Sequence, residues 1–234
     1  ANNIAMAIYQ LPPESLFPPP DRAEPDGLLA VGGDLSPKRL LVAYRLGIFP
    51  WYSTGEPICW WSPDPRFTLL PHELHVSQRL RRVIRSKRYT VRYDTMFDAV
   101  IERCATTLRP GQDGTWITPA MRDAYSKLHR LGIAHSIESW SEGKLVGGVY
   151  GIALGGTFFG ESMFTHQSDA SKVALVALVW QLQTWSFDLV DCQVPTQHLA
   201  RFGAKGLPRS EFLKRLQNSV NRPNLWGGAQ QREG

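Results

Sequence analysis

Apolar residues recur at helical spacing over residues 77–87, 96–106, 119–131, 169–185 and 208–218, and a shorter helix begins at Ser36-Pro37. In that first helix Leu40, Leu41 and Tyr44 share a face with the following Ile48, Ser36 and Pro37 supply the cap and first turn, and Gly47 closes it. Thr118-Pro119 opens the helix over 119–131 in the same way. Period-two or continuous apolar runs predict strands over 89–93, 133–140, 144–153, 157–163 and 187–192. The segments AHSIESW, LVGGVYGIAL and TFFGESMF follow one another through tight turns and read as a three-stranded meander. A long apolar helix and one more strand, FDLVDC, come next. That order gives an α/β (α+β) class with a mostly antiparallel sheet, unlike the strict alternation of a doubly wound nucleotide fold.

Composition divides the chain. Twelve of the 17 prolines precede His72, and Trp51, Trp60 and Trp61 fall in the same stretch. Residues 1–62 are therefore expected to form a small, turn-rich lobe with one helix, in which GLLAVGGDLSP and FPW are loops. Residues 63–234 are expected to form the main domain, ending in a weakly held tail from Val220 onward. A chain of 234 residues buries a core without staples, and three cysteines form no disulfide framework. No zinc-ligand spacing is present, the longest apolar run (Val173–Trp180) is eight residues, and no basic residue precedes an apolar stretch at the N-terminus. A reduced, soluble, cytoplasmic protein without metal or membrane contact is expected.

Net charge is +5, but its location matters more than its size. Ser77–Arg88 carries six basic residues and no acid; the other 20 Lys and Arg face 21 acids. As a helix this segment turns Leu80, Val83 and Ile84 to one side and Arg79, Arg81, Arg82, Arg85 and Arg88 around the rest. Arginines suit bidentate phosphate contacts, so a nucleic-acid backbone is the favoured partner over a merely solvated face.

Other candidates are more ambiguous. Asp191 and Gln193, two apart at the end of the last strand, fit either one shared cavity or a buried cap. Glu161, in GESMF, fits either an amine or cation site or a surface charge. Trp51 and Trp116 sit in Gly/Pro-bounded loops and suit stacking on a base or packing between lobes. His198 reads as a structural histidine by default. GESMF lacks the G-x-S-x-G of a hydrolase elbow, and GGVYG and GGTFFG lie inside strands, where glycine marks a bulge or a close approach.

Taken together, EPDGLLAVGGDLSPKRLLVAYRLGIFPW (24–51), WWSPDPR (60–66), GTWIT (114–118), HSIE, LVGGVYG, GESMF, ASK and DCQ with His198 resemble the bacterial leucyl/phenylalanyl-tRNA–protein transferases. The resemblance implies transfer of leucine or phenylalanine, and methionine less well, from aminoacyl-tRNA to proteins beginning with Arg or Lys, which marks them for N-degron degradation. It implies a GNAT acyltransferase-like main domain, a monomer and no cofactor. It also assigns roles. Asp191 and Gln193 would be the catalytic pair, Asp191 orienting and polarising and Gln193 bonding the attacking amine. Trp51 and Trp116 would stack on the 3′-terminal adenosine, and Glu161 would meet the aminoacyl amino group. Phe158, Met163, Leu175 and Val190 would form the side-chain pocket, and the arginine helix would contact the tRNA backbone. One departure is Arg201, where the family often reads H-x-x-S-x-G. Two other functions fit less well: a coenzyme A acetyltransferase lacks its R/Q-x-x-G-x-G/A loop here, and a non-catalytic tRNA-binding module would need neither Asp191 nor Gln193.

Overall fold

The structure, a computed structural model, describes residues 8–107 and 115–228. The expectations for the first seven residues, for Gly114 and for the last six lie outside those residues.

Near the N-terminus, β1 (Tyr9–Gln10), β2 (Leu28–Val31), β3 (Phe49–Pro50) and β4 (Cys59–Trp61) form a sheet in the order β1-β2-β4-β3, beside α1 (Pro37–Arg45). GLLAV and FPW, expected as loops, thus supply strands. The runs LLAV and CWW are too short to show a period, and their Gly and Pro neighbours imitate loop; cross-strand pairing of Leu28 with Trp61 and Val31 with Cys59 decides the outcome. The predicted α1 cap is present, with the Ser36 hydroxyl accepting from the Arg39 N–H at 3.3 Å and Gly47 at φ 73°.

The larger sheet comprises β5 (Arg66–Leu69), β6 (Thr90–Tyr93), β7 (Ala134–Ser141), β8 (Lys144–Leu154), β9 (Thr157–Thr165), β10 (Leu189–Gln193) and β11 (Lys205–Leu207), in the order β11-β5-β10-β9-β8-β7-β6. Every neighbouring pair is antiparallel except β9 with β10. Glu142 and Gly143, both at positive φ (51° and 72°), make the primed turn that joins β7 to β8. β5 and β11 extend the sheet beyond the predicted strands. Residues 66–69 are buried throughout, so β5 shows no alternation to betray it.

Helices α3 (Phe97–Thr106), α4 (Pro119–Arg130) and α7 (Arg209–Val220), together with α1, bury one face of this sheet. The other face carries α5 (Ala170–Thr184), apolar on most sides because it is covered by α2 (Gln78–Arg85) as well as by strands. Gly147 lets α5 press onto β8: a Cβ there would lie 2.6 Å from that of Ala170. The short α6 (Gln197–Ala200) follows β10. Among the described residues no helix is long and apolar enough to cross a membrane.

The expected loose tail is corrected over 220–228. Leu225 and Trp226 are buried, and the Trp226 ring stacks on His135 at 3.9 Å between centroids, with Trp185 at 5.0 Å and Phe158 at 5.9 Å. Gly and Asn around this tryptophan look like tail composition, but one large aromatic side chain suffices to dock the segment.

Candidate active site

A cavity of about 470 Å³ opens where β9 and β10 part company. These parallel strands pair only from Leu189 to Asp191 against Thr157 to Phe159. Beyond that, β9 pairs with β8 alone, while Gln193 pairs with Phe67 of β5. Gly160 to Met163 and Cys192 to Val194 line the resulting gap.

Its walls gather residues from distant segments: Phe49, Pro50 and Trp51 from the N-terminal sheet, Trp116 ahead of α4, Leu69 from β5, Val149 from β8, and Leu175 and Leu178 from α5. Of the residues singled out in the sequence, Trp51, Trp116, Phe158, Glu161, Met163, Leu175, Val190 and Gln193 all line it. Trp51 is 41% exposed, and its backbone oxygen accepts the Trp61 indole N–H at 2.7 Å. His198 lines the cavity too; its Nε2 is buried without a partner among the described residues, which departs from the satisfied histidine expected. Burial first, then Lys172 and Arg201, hold its pKa down. Arg201, the departure from the family pattern, thus acts on the ring of His198 through its charge.

Asp191 is different. It does not line the cavity; its carboxylate is fully buried and receives Arg66 Nε at 2.9 Å and Nη2 at 2.7 Å. The guanidinium lies between the rings of Phe49 and Phe212, with its carbon 4.8 and 4.6 Å from their centroids, and donates its third nitrogen to the Gly47 carbonyl at 2.9 Å. The same carboxylate accepts the Gln193 backbone N–H at 2.9 Å. Gln193 has φ 65°, a left-handed conformation that costs a non-glycine residue ~1 kcal/mol or more. Of the two readings open for this pair, a shared cavity and a buried cap, Asp191 takes the buried one: a register break separates it from Gln193, and extended-strand alternation does not hold through a left-handed residue. Asp191 instead holds the backbone that presents Gln193.

Gln193 Nε2 donates to Glu161 Oε1 at 3.2 Å, and that oxygen also accepts the Tyr44 hydroxyl at 2.5 Å. Tyr44, from α1, is in turn bonded to the Tyr125 hydroxyl of α4. Both tyrosines are fully buried. Burial raises the Glu161 pKa from 4.5 to about 8, Asp191 adding to the rise and Tyr44, Gln193 and Arg66 opposing it. Sequence reasoning missed Arg66, Tyr44 and Tyr125, because helix periodicity marks Tyr44 only as part of an apolar face.

The basic segment forms α2 as expected, with Leu80 buried, Val83 and Ile84 half-buried and Arg79, Arg81, Arg82, Arg85 and Arg88 all exposed. Arg79 pairs with Asp169 at 2.8 Å, Arg81 Nε donates to the Val76 carbonyl and Arg88 lies over the ring of Tyr89. Among the described residues no acid pairs with Arg82 or Arg85.

The family profile described as "Leucyl/phenylalanyl-tRNA protein transferase" matches residues 68–217, and that of its N-terminal domain matches residues 33–64. The chain belongs to this family. It is 62% identical over 222 residues to the leucyl/phenylalanyl-tRNA–protein transferase of Anaeromyxobacter sp. (strain Fw109-5), covering 95% of this chain and 94% of the relative. The Myxococcus xanthus (strain DK1622) transferase is 56% identical over 224 residues, with 95% and 96% covered. That of Azotobacter vinelandii (strain DJ / ATCC BAA-1303) is 57% identical over 210 residues, with 89% and 92% covered. As a leucyl/phenylalanyl-tRNA–protein transferase the chain is an enzyme that moves an aminoacyl group from tRNA to a protein.

Proposed function

We propose that this transferase carries leucine or phenylalanine, and methionine less well, from its tRNA to the α-amine of proteins beginning with Arg or Lys, committing them to N-degron degradation. It works as a cytoplasmic monomer without a cofactor. The observation that carries this reading is the cavity. Its wall is apolar along Leu69, Val149, Phe158, Met163, Leu175, Leu178 and Val190, and Glu161 and Gln193 supply the polar groups at β9 and β10. A leucyl, phenylalanyl or methionyl side chain fills such a wall, whereas a charged one leaves its charge unpaired. Rejection of β-branched side chains rests on shape and is worth only ~1–3 kcal/mol.

Trp51 and Trp116, on the cavity wall, stack on the terminal adenosine, and the exposed arginines of α2 take backbone phosphates that position the tRNA without reading its bases. The ester is already activated, so catalysis is chiefly the alignment of a neutral α-amine with its carbonyl. Gln193 bonds that amine, and Asp191 acts through the Gln193 backbone. The main domain (63–234) is GNAT-like and the segment 1–62 a small lobe, a reading supported by the parallel β9–β10 pair inside an otherwise antiparallel large sheet.

The test is transfer of radiolabelled leucine from Leu-tRNA to a model protein beginning with Arg, with a Gly-initiated control. Label on the Arg protein alone is expected. Equal label on both overturns the acceptor rule; no label on either overturns the transfer reading.

A further inference from the structure

Peptide-bond formation at this site releases a proton from the attacking amine, and the cavity restricts where it can go. Asp191 has both oxygens engaged by Arg66 and Gln193 and lies outside the cavity wall. A glutamine amide holds no proton near neutral pH, so Gln193 is not a base. Among the described lining residues the ionisable side chains are Glu161, Cys192 and His198. Burial and Asp191 push the Cys192 thiol far up, and burial with Lys172 and Arg201 makes His198 a weak base. Glu161 remains, and its hydrogen bonds are lopsided. Tyr44 and Gln193 both donate to Oε1, while Oε2 bonds to no described residue.

We propose that Glu161, through Oε2, takes the proton of the attacking α-amine and hands it to the departing ribose 3′-oxygen, with Tyr44 and Tyr125 holding its other oxygen in place. This rests on the transfer reading above. As the nitrogen bonds to the ester carbonyl carbon, an N–H proton passes to Oε2. As the carbon–oxygen bond to the ribose breaks, the same proton moves to that oxygen, leaving an amide and a free 3′-hydroxyl. Tyr44 has a single proton and gives it to Glu161, so its oxygen is the acceptor for Tyr125; the two buried hydroxyls form a one-way chain anchored in α1 and α4. The groups facing the carboxyl are Tyr44 from α1, Tyr125 from α4, Asp191 and Gln193 from β10 and Arg66 from β5. Their balance with burial leaves Glu161 near 8, so that close to neutral pH the carboxyl can both take a proton and give it up again.

The experiment is single-turnover transfer from Leu-tRNA between pH 6 and 9.5, using an Arg-initiated peptide whose α-amine is replaced by an aminooxy group, which stays neutral over this range. Binding of a non-hydrolysable 3′-acyl-adenosine analogue that lacks the α-amino group is measured alongside. The wild-type rate should rise with pH through a limb near 8. Glu161→Gln keeps an oxygen for Tyr44; it should lose the limb and about 100-fold or more in rate while binding the analogue within a few-fold. Tyr44→Phe removes a donor that favours the carboxylate and should move the limb upward by about one pH unit. His198→Gln should keep the limb, whatever it does to the rate. A limb that persists in Glu161→Gln, or that disappears in His198→Gln, overturns the assignment. No transfer by the wild-type chain at any pH overturns the transfer reading and the proton path with it.

Discussion

Asp191→Asn isolates the charge of one buried carboxylate. The substitution keeps size, shape and one oxygen for the Gln193 N–H, but leaves the Arg66 guanidinium, 1% exposed, without its counter-charge. A buried pair that loses one partner costs ~3–5 kcal/mol, because the surviving charge is neither solvated nor neutralised. The rings of Phe49 and Phe212 on either side offset part of this, since each faces the cation at under 5 Å. For a chain of this length a loss of that size lowers Tm by roughly 6–20 °C. Urea unfolding followed by tryptophan fluorescence gives the cost directly, and the chain's eight tryptophans report from both sheets. Arg66→Met in the Asp191→Asn background should recover most of the stability, giving a coupling energy of ~2 kcal/mol or more in the double-mutant cycle. A cost below about 1 kcal/mol, or two additive losses, would refute the buried-pair reasoning. Transfer activity in the stable double variant then separates the two roles: it should persist if Asp191 serves through the Gln193 backbone, whose acceptor oxygen remains.

Two further outcomes are expected. Glu161 is favoured in its protonated form by the fold, so the wild-type protein loses stability as pH rises from about 4.5 to 8 and levels off above. That span corresponds to ~5 kcal/mol at most; Glu161→Gln, which does not titrate, should therefore gain on the wild type steadily across it, and a gap in Tm constant with pH would remove the argument. Replacing Arg81, Arg82 and Arg85 with Ala should weaken tRNA binding uniformly across sequences and reduce the salt slope by roughly one for each phosphate no longer neutralised, as measured by filter binding at several salt concentrations. An unchanged slope would take α2 out of the interface.

Legibility in the sequence followed the range of the interactions. Caps and periods are local, and Ser36, Thr118, the meander and the α5 run stand where their patterns indicate. The short β2, β3, β4, β5 and β11 show no period to read and emerge only through their partners, whereas the four residues of β6 alternate and were readable. Phe158, Met163, Leu175 and Val190 of the apolar wall follow from the resemblance, but Leu69, Val149 and Leu178 do not, and the enclosure depends on β9 and β10 separating after three paired positions. Least legible were hydrogen bonds between residues far apart in the chain. Arg66 and Asp191 are 125 positions apart, and Tyr44 and Glu161 117. Nothing in an amphipathic helix shows that one of its buried hydroxyls ends on a carboxylate.

Trp226 has a bearing on how the protein is made. Its ring backs Phe158, which forms part of the cavity wall on its other side, and it stacks on His135. A growing chain emerges N-terminus first, and domains fold largely as units once their parts are available. The support for this wall comes from residue 226, so a growing chain carries the exposed arginines of α2 long before the wall has its backing. Forms truncated before residue 226 should therefore keep those arginines but leave Phe158 unsupported, so that loss of this one segment reaches the cavity and not only the surface.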